Sequence, residues 1–255
     1  MNNKWPILII SLPDALDRQQ VMRAQLNELG LSGIFVPAIR GSEISDAERA
    51  VLYNDFRVRS HSGRSMTAGE LGCALSHLKC YDYIISSNAD WAVVLEDDSV
   101  LPVNFVDVIN GLIEREGLIR ADLVLLGRIR KFIKSPVVSI DERISVVIPV
   151  RAWNANAYLI NRKAALMVGR ANNPVVYSAD DWISIGRASD IVIRGLDNFL
   201  CDQQVSVLKS SLERDRKYAR MKRRSGRDAL LYLFYRLIRR IREIFVARGR
   251  PLGRH

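Results

Sequence analysis

The chain reads as an α/β protein built on a mostly parallel central sheet, and three observations carry that expectation. It opens as strand, helix, strand: Ile7 to Leu12 is apolar, Ala15 to Leu29 places Leu16, Val21, Met22, Leu26 and Leu29 in a helical pattern closed by Gly30, and Ile34-Phe35-Val36 follows. Trp91-Ala92-Val93-Val94-Leu95 is an uninterrupted apolar run, as expected of a strand buried on both faces of a parallel sheet. Strand-like and helical stretches then alternate along the chain, which predicts a doubly wound sheet with helices on its faces.

The remaining elements follow in order. Arg40 to Ser65 is polar and reads as a short helix and then a loop rich in Ser, Gly and Arg. Thr67 caps a helix from Ala68 to Ser86, with Glu70 three residues on completing a capping box. After the Trp91 strand come a helix near Phe105 to Arg115, a strand at Leu123 to Leu126, and a basic loop holding Arg128, Arg130, Lys131 and Lys134. Val146 to Val150 and Ala155 to Ile160 read as strands, and a helix starts at Arg162. From Asp228, Leu230, Phe234, Leu237, Ile241 and Ile244 recur at spacings of four and three, with Arg236, Arg239, Arg240 and Arg242 between them. That is an amphipathic helix with a basic side, suited either to an anionic membrane surface or to docking on its own core.

Charge divides the 255 residues in two. Positions 209–255 hold 16 Lys/Arg against 4 Asp/Glu, a balance of +12, so the net +10 leaves −2 for positions 1–208. A near-neutral body, 1–208, with a basic tail, 209–255, argues against a nucleic-acid groove running across the protein. The apolar stretch from Trp5 is broken by Pro6 and followed by Asp14 and Asp17, too short for a signal peptide or a membrane span. Cys73, Cys80 and Cys201 form no framework, so free thiols and a cytoplasmic protein are expected.

The chemistry concentrates where the Trp91 strand ends in Glu96-Asp97-Asp98. Three adjacent carboxylates repel one another unless a cation lies among them, and their oxygens suit Mg²⁺ or Mn²⁺ holding a diphosphate. An acidic solvated turn is the plainer alternative. Extended backbone puts Glu96 and Asp98 on one side and Asp97 on the other. Cys73, His77 and Cys80 share a helix face, but three ligands without a fourth make a poor zinc site. Glu70, Ser76 and His77 are expected on a surface facing the acids.

Ile10-Ser11-Leu12, with Arg18 after five further residues, resembles the opening motif of glycosyltransferase family 25. These are bacterial enzymes that extend lipopolysaccharide or lipooligosaccharide, related to the collagen galactosyltransferases. Gly69-Glu70-Leu71-Gly72-Cys73 with Ser76-His77, then Val94-Leu95-Glu96-Asp97-Asp98, then Trp153 with Tyr158-Leu159-Ile160 and Ala164, then Asp181-Trp182-Ile183 resemble its later blocks, in order, over about residues 7–200. The chain departs from the family in carrying Asn154-Ala155 where Gly-Thr is usual, and in doubling the last acid as Asp180-Asp181.

The resemblance implies a GT-A-like nucleotide-sugar fold and inverting transfer of a hexose, galactose or glucose, from a UDP-sugar to a lipid-linked oligosaccharide. Asp98, with Glu96, is then the expected ligand of Mn²⁺ or Mg²⁺. Ser11, Leu12, Arg18, Glu70, Ser76, His77, Glu96 and Asp97 are expected around the donor. Arg18 contacts either phosphate or a local acid such as Asp14. The acceptor hydroxyl needs a base, for which Asp181 stands first, Asp180 second and His77 third; a helix N-cap is the competing role for the Asp pair. The basic tail would seat the enzyme on the inner face of the cytoplasmic membrane. A receiver-like Mg²⁺-dependent phosphotransfer domain and a membrane- or RNA-binding adaptor are the alternatives.

Overall fold

A computed structural model describes residues 5–204, 226–247 and 252–254. The run Lys222-Arg223-Arg224 lies outside the described residues. The opening unit forms as the sequence predicts: β1 (Ile7–Ser11), α1 (Leu16–Glu28) and β2 (Ile34–Pro37). Only Met22 and Leu26 of α1 are buried, because the helix turns a narrow stripe to the sheet and leaves Leu16 and Val21 exposed. Gly30, at φ 66°, takes the left-handed backbone that ends it.

Between Arg40 and Ser65 the expectation of one helix and a loop is corrected. A first helix, α2 (Asp46–Leu52), is capped by a Ser45–Glu48 box, and a second, α3 (Asp55–Ser62), follows it. Asn54 accepts the Arg57 N–H at the start of α3, and Gly63, φ 77°, closes it. The helix was hidden because Val58 is its one buried residue, which leaves no apolar period to read. The helix α4 (Ala68–Ser86) has the predicted Thr67–Glu70 capping box.

Beyond β3 (Trp91–Glu96) come β4 (Ser99–Val100), α5 (Phe105–Glu114), α6 (Glu116–Ile119) and β5 (Leu123–Leu125). The stretch expected as a basic loop instead enters β6 (Lys131–Ser139), which pairs with β7 (Ser145–Arg151). Its register shifts between Ile133 and Val138, and that irregularity erases the two-residue alternation a strand would display. The chain continues through β8 (Ala157–Asn161), α7 (Arg162–Ala171), α8 (Trp182–Ser189), β9 (Ile193–Leu196) and β10 (Asp202–Gln203), then α9 (Gly226–Ala247) and β11 (Leu252–Arg254).

Nine strands form one sheet in the order β11-β6-β7-β9-β5-β8-β3-β1-β2. β1 pairs parallel with both β2 and β3; β8 runs antiparallel between β3 and β5, and β9 is parallel to β5. β7 reverses and β6 restores the direction, so β1, β2, β3, β5, β6 and β9 point one way. This is the expected α/β sheet with most strands in one direction.

The sheet divides two cores. Ala92 and Val94 join Leu8 and Ile10 against Tyr81 and Ile84 of α4 and Val168 of α7. Trp91, Val93 and Leu95 join Ile7 and Ile9 against Met22 and Leu26 of α1 and Ile109 of α5. Burying a large apolar side chain contributes about 1.5–3 kcal/mol. The four large side chains of β3 bury in this way and anchor the strand that ends in the three acids. Alternation carried one residue further sends Glu96 toward α4 and Asp97 toward α1.

Candidate active site

The register Ile10↔Glu96 places the carboxyl ends of β1 and β3 side by side. Ser11 donates its hydroxyl to Asp97 Oδ2 at 2.7 Å, and Arg18 of α1 pairs with Asp97 Oδ1 at 2.9 Å. Arg18 thus finds its acid on β3, whereas Asp14 is held by Arg40. The Asp97 carboxyl sits above its ordinary range, because burial outweighs the Ser11 hydrogen bond and the Arg18 charge. Leu12 turns its carbonyl back to accept from Gln19 Nε2.

Asp98 lies in the turn after β3, where the antiparallel β4–β10 pair holds it: its carbonyl accepts from the Gln204 N–H and its Oδ2 from Gln203 Nε2, each at 2.7 Å. Oδ1 is buried and has no hydrogen-bond partner among the described residues. Burial first, and the neighbouring Glu96 charge second, push this carboxyl up to about 6. The unpartnered Asp98 oxygen is one ligand atom of the kind Mg²⁺ or Mn²⁺ takes, but among the described residues the ligand atoms that come within 4.8 Å of one another belong to Cys73, His77 and Glu96 and not to the acid run 96–98.

Glu96 faces α4. Its Oε1 is 3.5 Å from His77 Nε2 and accepts from Cys73 Sγ at 3.8 Å. His77 is fully buried, and its Nδ1 lies 2.7 Å from the Tyr158 hydroxyl. That enclosure argues against His77 as a base open to an acceptor and makes it a support for Glu96. The Cys73–His77–Cys80 trio does not assemble: Cys80 is sealed in the core, where burial lifts its thiol to about 12, and Glu96 stands beside Cys73 and His77 instead. The surface expected to carry Glu70, Ser76 and His77 toward the acids is also corrected. Only His77 meets them. Ser76 is buried, donating to the Gly72 carbonyl and accepting the Ile39 N–H. Gly72 permits this, because a Cβ there would run into the Ile39 carbonyl and the Gly41 backbone.

Glu70, one helical turn before Cys73, opens onto a second region, a pocket of about 680 Å³. It is buried, binds Arg64 in a two-pronged pair at 2.6 and 2.7 Å, and accepts the Thr67 N–H. Trp153 and the pair Asp180 and Asp181 also line this pocket. Asp181 does cap α8, accepting the Ser184 N–H, so the capping role is real. It is not the whole role. Asp181 Oδ2 lies 2.7 Å from His61 Nε2, which is also 3.1 Å from Ser184 Oγ. Trp182 anchors this helix start: wholly buried, it donates to the Asn154 carbonyl and stands edge-on to Tyr158. Sequence reasoning missed His61 and Arg64, which fell in a stretch read as loop; the only available signal was that His61 is one of three histidines in the chain.

The family model described as glycosyltransferase family 25, LPS biosynthesis protein, matches residues 4–183, more than two thirds of the chain and inclusive of both clusters. The chain belongs to glycosyltransferase family 25. Relatives in the family include the inactive glycosyltransferase 25 family member 3 of Homo sapiens, 32% identical over 127 residues, or 48% of this chain and 21% of that protein. Procollagen galactosyltransferase 1 of Danio rerio is 26% identical over 174 residues, 65% of this chain and 28% of that protein. The chain therefore corresponds to less than a third of either relative's length. Among solved structures, an inositol-1-phosphate CTP transferase from T. maritima aligns at 12% identity and a TM-score of 0.36, covering 85% of this chain and 76% of that one. Membership of family 25 sets aside the receiver-like alternative. The family includes members described as inactive.

Proposed function

We propose that this family 25 protein transfers a hexose, galactose or glucose, from a UDP-sugar to a lipopolysaccharide- or lipooligosaccharide-type acceptor, with inversion. The observation that carries the reading is the Asp98 carboxylate, with one buried oxygen unpartnered beside Glu96 and Asp97 at the ends of two parallel strands. Ligands of α/β sheets gather at such strand ends. Asp98 and Glu96 would hold the divalent ion, which when bound neutralises diphosphate charge as a Lewis acid. Ser11 and Arg18 fix Asp97, and the half-exposed Arg18 guanidinium is positioned to meet a phosphate as well. Asp181 takes the proton of the acceptor hydroxyl, and His61 holds its Oδ2 in place. Asp180, which lines the same pocket, is the second candidate base.

The division into a catalytic body, 1–208, and a membrane-seating tail, 209–255, belongs to the same proposal. No helix among the described residues is long and apolar enough to cross a membrane. Leu230, Phe234, Leu237, Ile241 and Ile244 of α9 are all exposed, and an apolar stripe flanked by arginines suits the anionic cytoplasmic face of a bilayer.

A thermal-shift panel of UDP-galactose, UDP-glucose and their N-acetylated relatives, with and without Mn²⁺, tests the reading. Stabilisation by one sugar nucleotide that requires the metal supports it. Equal melting in every well defeats it.

A further inference from the structure

The pocket around Asp181 is lined by five arginines, Arg64, Arg130, Arg151, Arg236 and Arg240, against three acids, Glu70, Asp180 and Asp181, a surplus of two positive charges. Glu70 is committed to Arg64, and Asp181 to His61. Arg130, Arg236 and Arg240 form no ion pair with any described residue. Guanidinium groups turned into a concave site with no carboxylate of their own are a receptor for oxyanions, which they bind bidentately.

Two of these arginines come from α9. Tyr232, Arg236 and Arg240 follow one another at four-residue intervals, so they share a helix face, and that face is one wall of the pocket. Tyr232 lies against Gly63 and Tyr235 stands edge-on to His61 at 5.8 Å, which ties the helix to α3 beside the candidate base. The apolar stripe points away from this wall. The helix read from sequence as a membrane tail thus has a second side that faces the chemistry.

We propose that this pocket binds the acceptor as an anionic saccharide, one bearing phosphate or carboxylate near the hydroxyl that is glycosylated, with Arg236 and Arg240 recognising the charge. The assignment deepens the glycosyltransferase reading and rests on it. The volume is that of a small-molecule site, and Trp153 and Tyr232 supply aromatic faces for a sugar ring. None of Glu96, Asp97 and Asp98 lines it, so it is not the diphosphate site, and α4 runs between the two, with Glu70 at one and His77 at the other. A neutral glycan leaves the arginines desolvated without an anion. A charged one pairs them.

Calorimetric titration of the full chain at low salt with glucose, glucose 6-phosphate, glucuronate and inorganic phosphate tests this. Either charged sugar is expected to bind roughly tenfold or more tightly than glucose. The preference is expected to collapse in the double variant Arg236→Gln/Arg240→Gln and to weaken in Arg130→Gln, a second variant on a different element. A preference for only one charged sugar names phosphate or carboxylate as the recognised group. Equal affinity for all three sugars, or a preference surviving in both variants, overturns the proposal. So does phosphate alone binding as tightly as glucose 6-phosphate, or displacement of the charged sugars by UDP. Hydrolysis of UDP-hexose by the unaltered chain reports on the glycosyltransferase reading by itself: its absence defeats that reading, while hydrolysis without charge preference defeats only the acceptor assignment.

Discussion

Replacing Arg64 by Met removes the two-pronged partner of the buried Glu70 carboxylate. Removing one partner of a fully buried ion pair costs about 3–5 kcal/mol. Here the Glu70 side chain is 5% exposed but Arg64 is 23% exposed, so water screens one side of the pair. The discounted loss is about 2–3 kcal/mol. In a domain of this size each kcal/mol moves Tm by about 2–4 °C, so calorimetry should record a fall of about 4–12 °C. The double variant Arg64→Met/Glu70→Gln should recover most of the loss, because Gln keeps the capping contact to Thr67 without a charge to strand. A single variant that melts within a degree of the parent at pH 7 would refute the stabilisation assigned to this pair.

Asp98→Asn should lower transfer by at least about a hundredfold. It should leave Tm unchanged or raised, since one of three crowded carboxylates is neutralised; unimpaired transfer would remove Asp98 from the metal site. His61→Gln should reduce kcat by roughly 10–100-fold through misplacement of Asp181, with UDP affinity retained, as steady-state kinetics and calorimetry can separate. Gly72→Ala should destabilise by about 1–3 kcal/mol in urea unfolding, because the added methyl meets backbone atoms that cannot swing aside. Leu237→Glu/Ile241→Glu should weaken co-sedimentation with anionic vesicles by roughly two orders of magnitude, with folding intact because both side chains are exposed.

Much of the candidate site's local structure was legible because its signals are local. The acids of β3 end an apolar run, Thr67 and Glu70 stand three apart, and Asp181 precedes the helix it caps; each pattern is complete within a few residues. The misread stretches failed for local reasons too. α3 buries one residue, and β6 shifts its register, so neither displays the period that identifies an element.

What the sequence alone determined is the inventory: an α/β chain, a carboxylate cluster at a buried strand's end, an amphipathic basic helix, and motif blocks in family order. Only the tertiary structure decided who meets whom. Arg18 of α1 reaches Asp97 at the end of β3, His61 reaches Asp181 from 120 residues away, and α9 turns Arg236 and Arg240 to the pocket while Leu230, Leu233 and Leu237 stay exposed. The physical reason is that helical period and caps are set by neighbours in the chain, whereas which charges pair depends on how the sheet orders its strands. That order is settled by burying two apolar cores at once, a property of the whole chain and of no short segment.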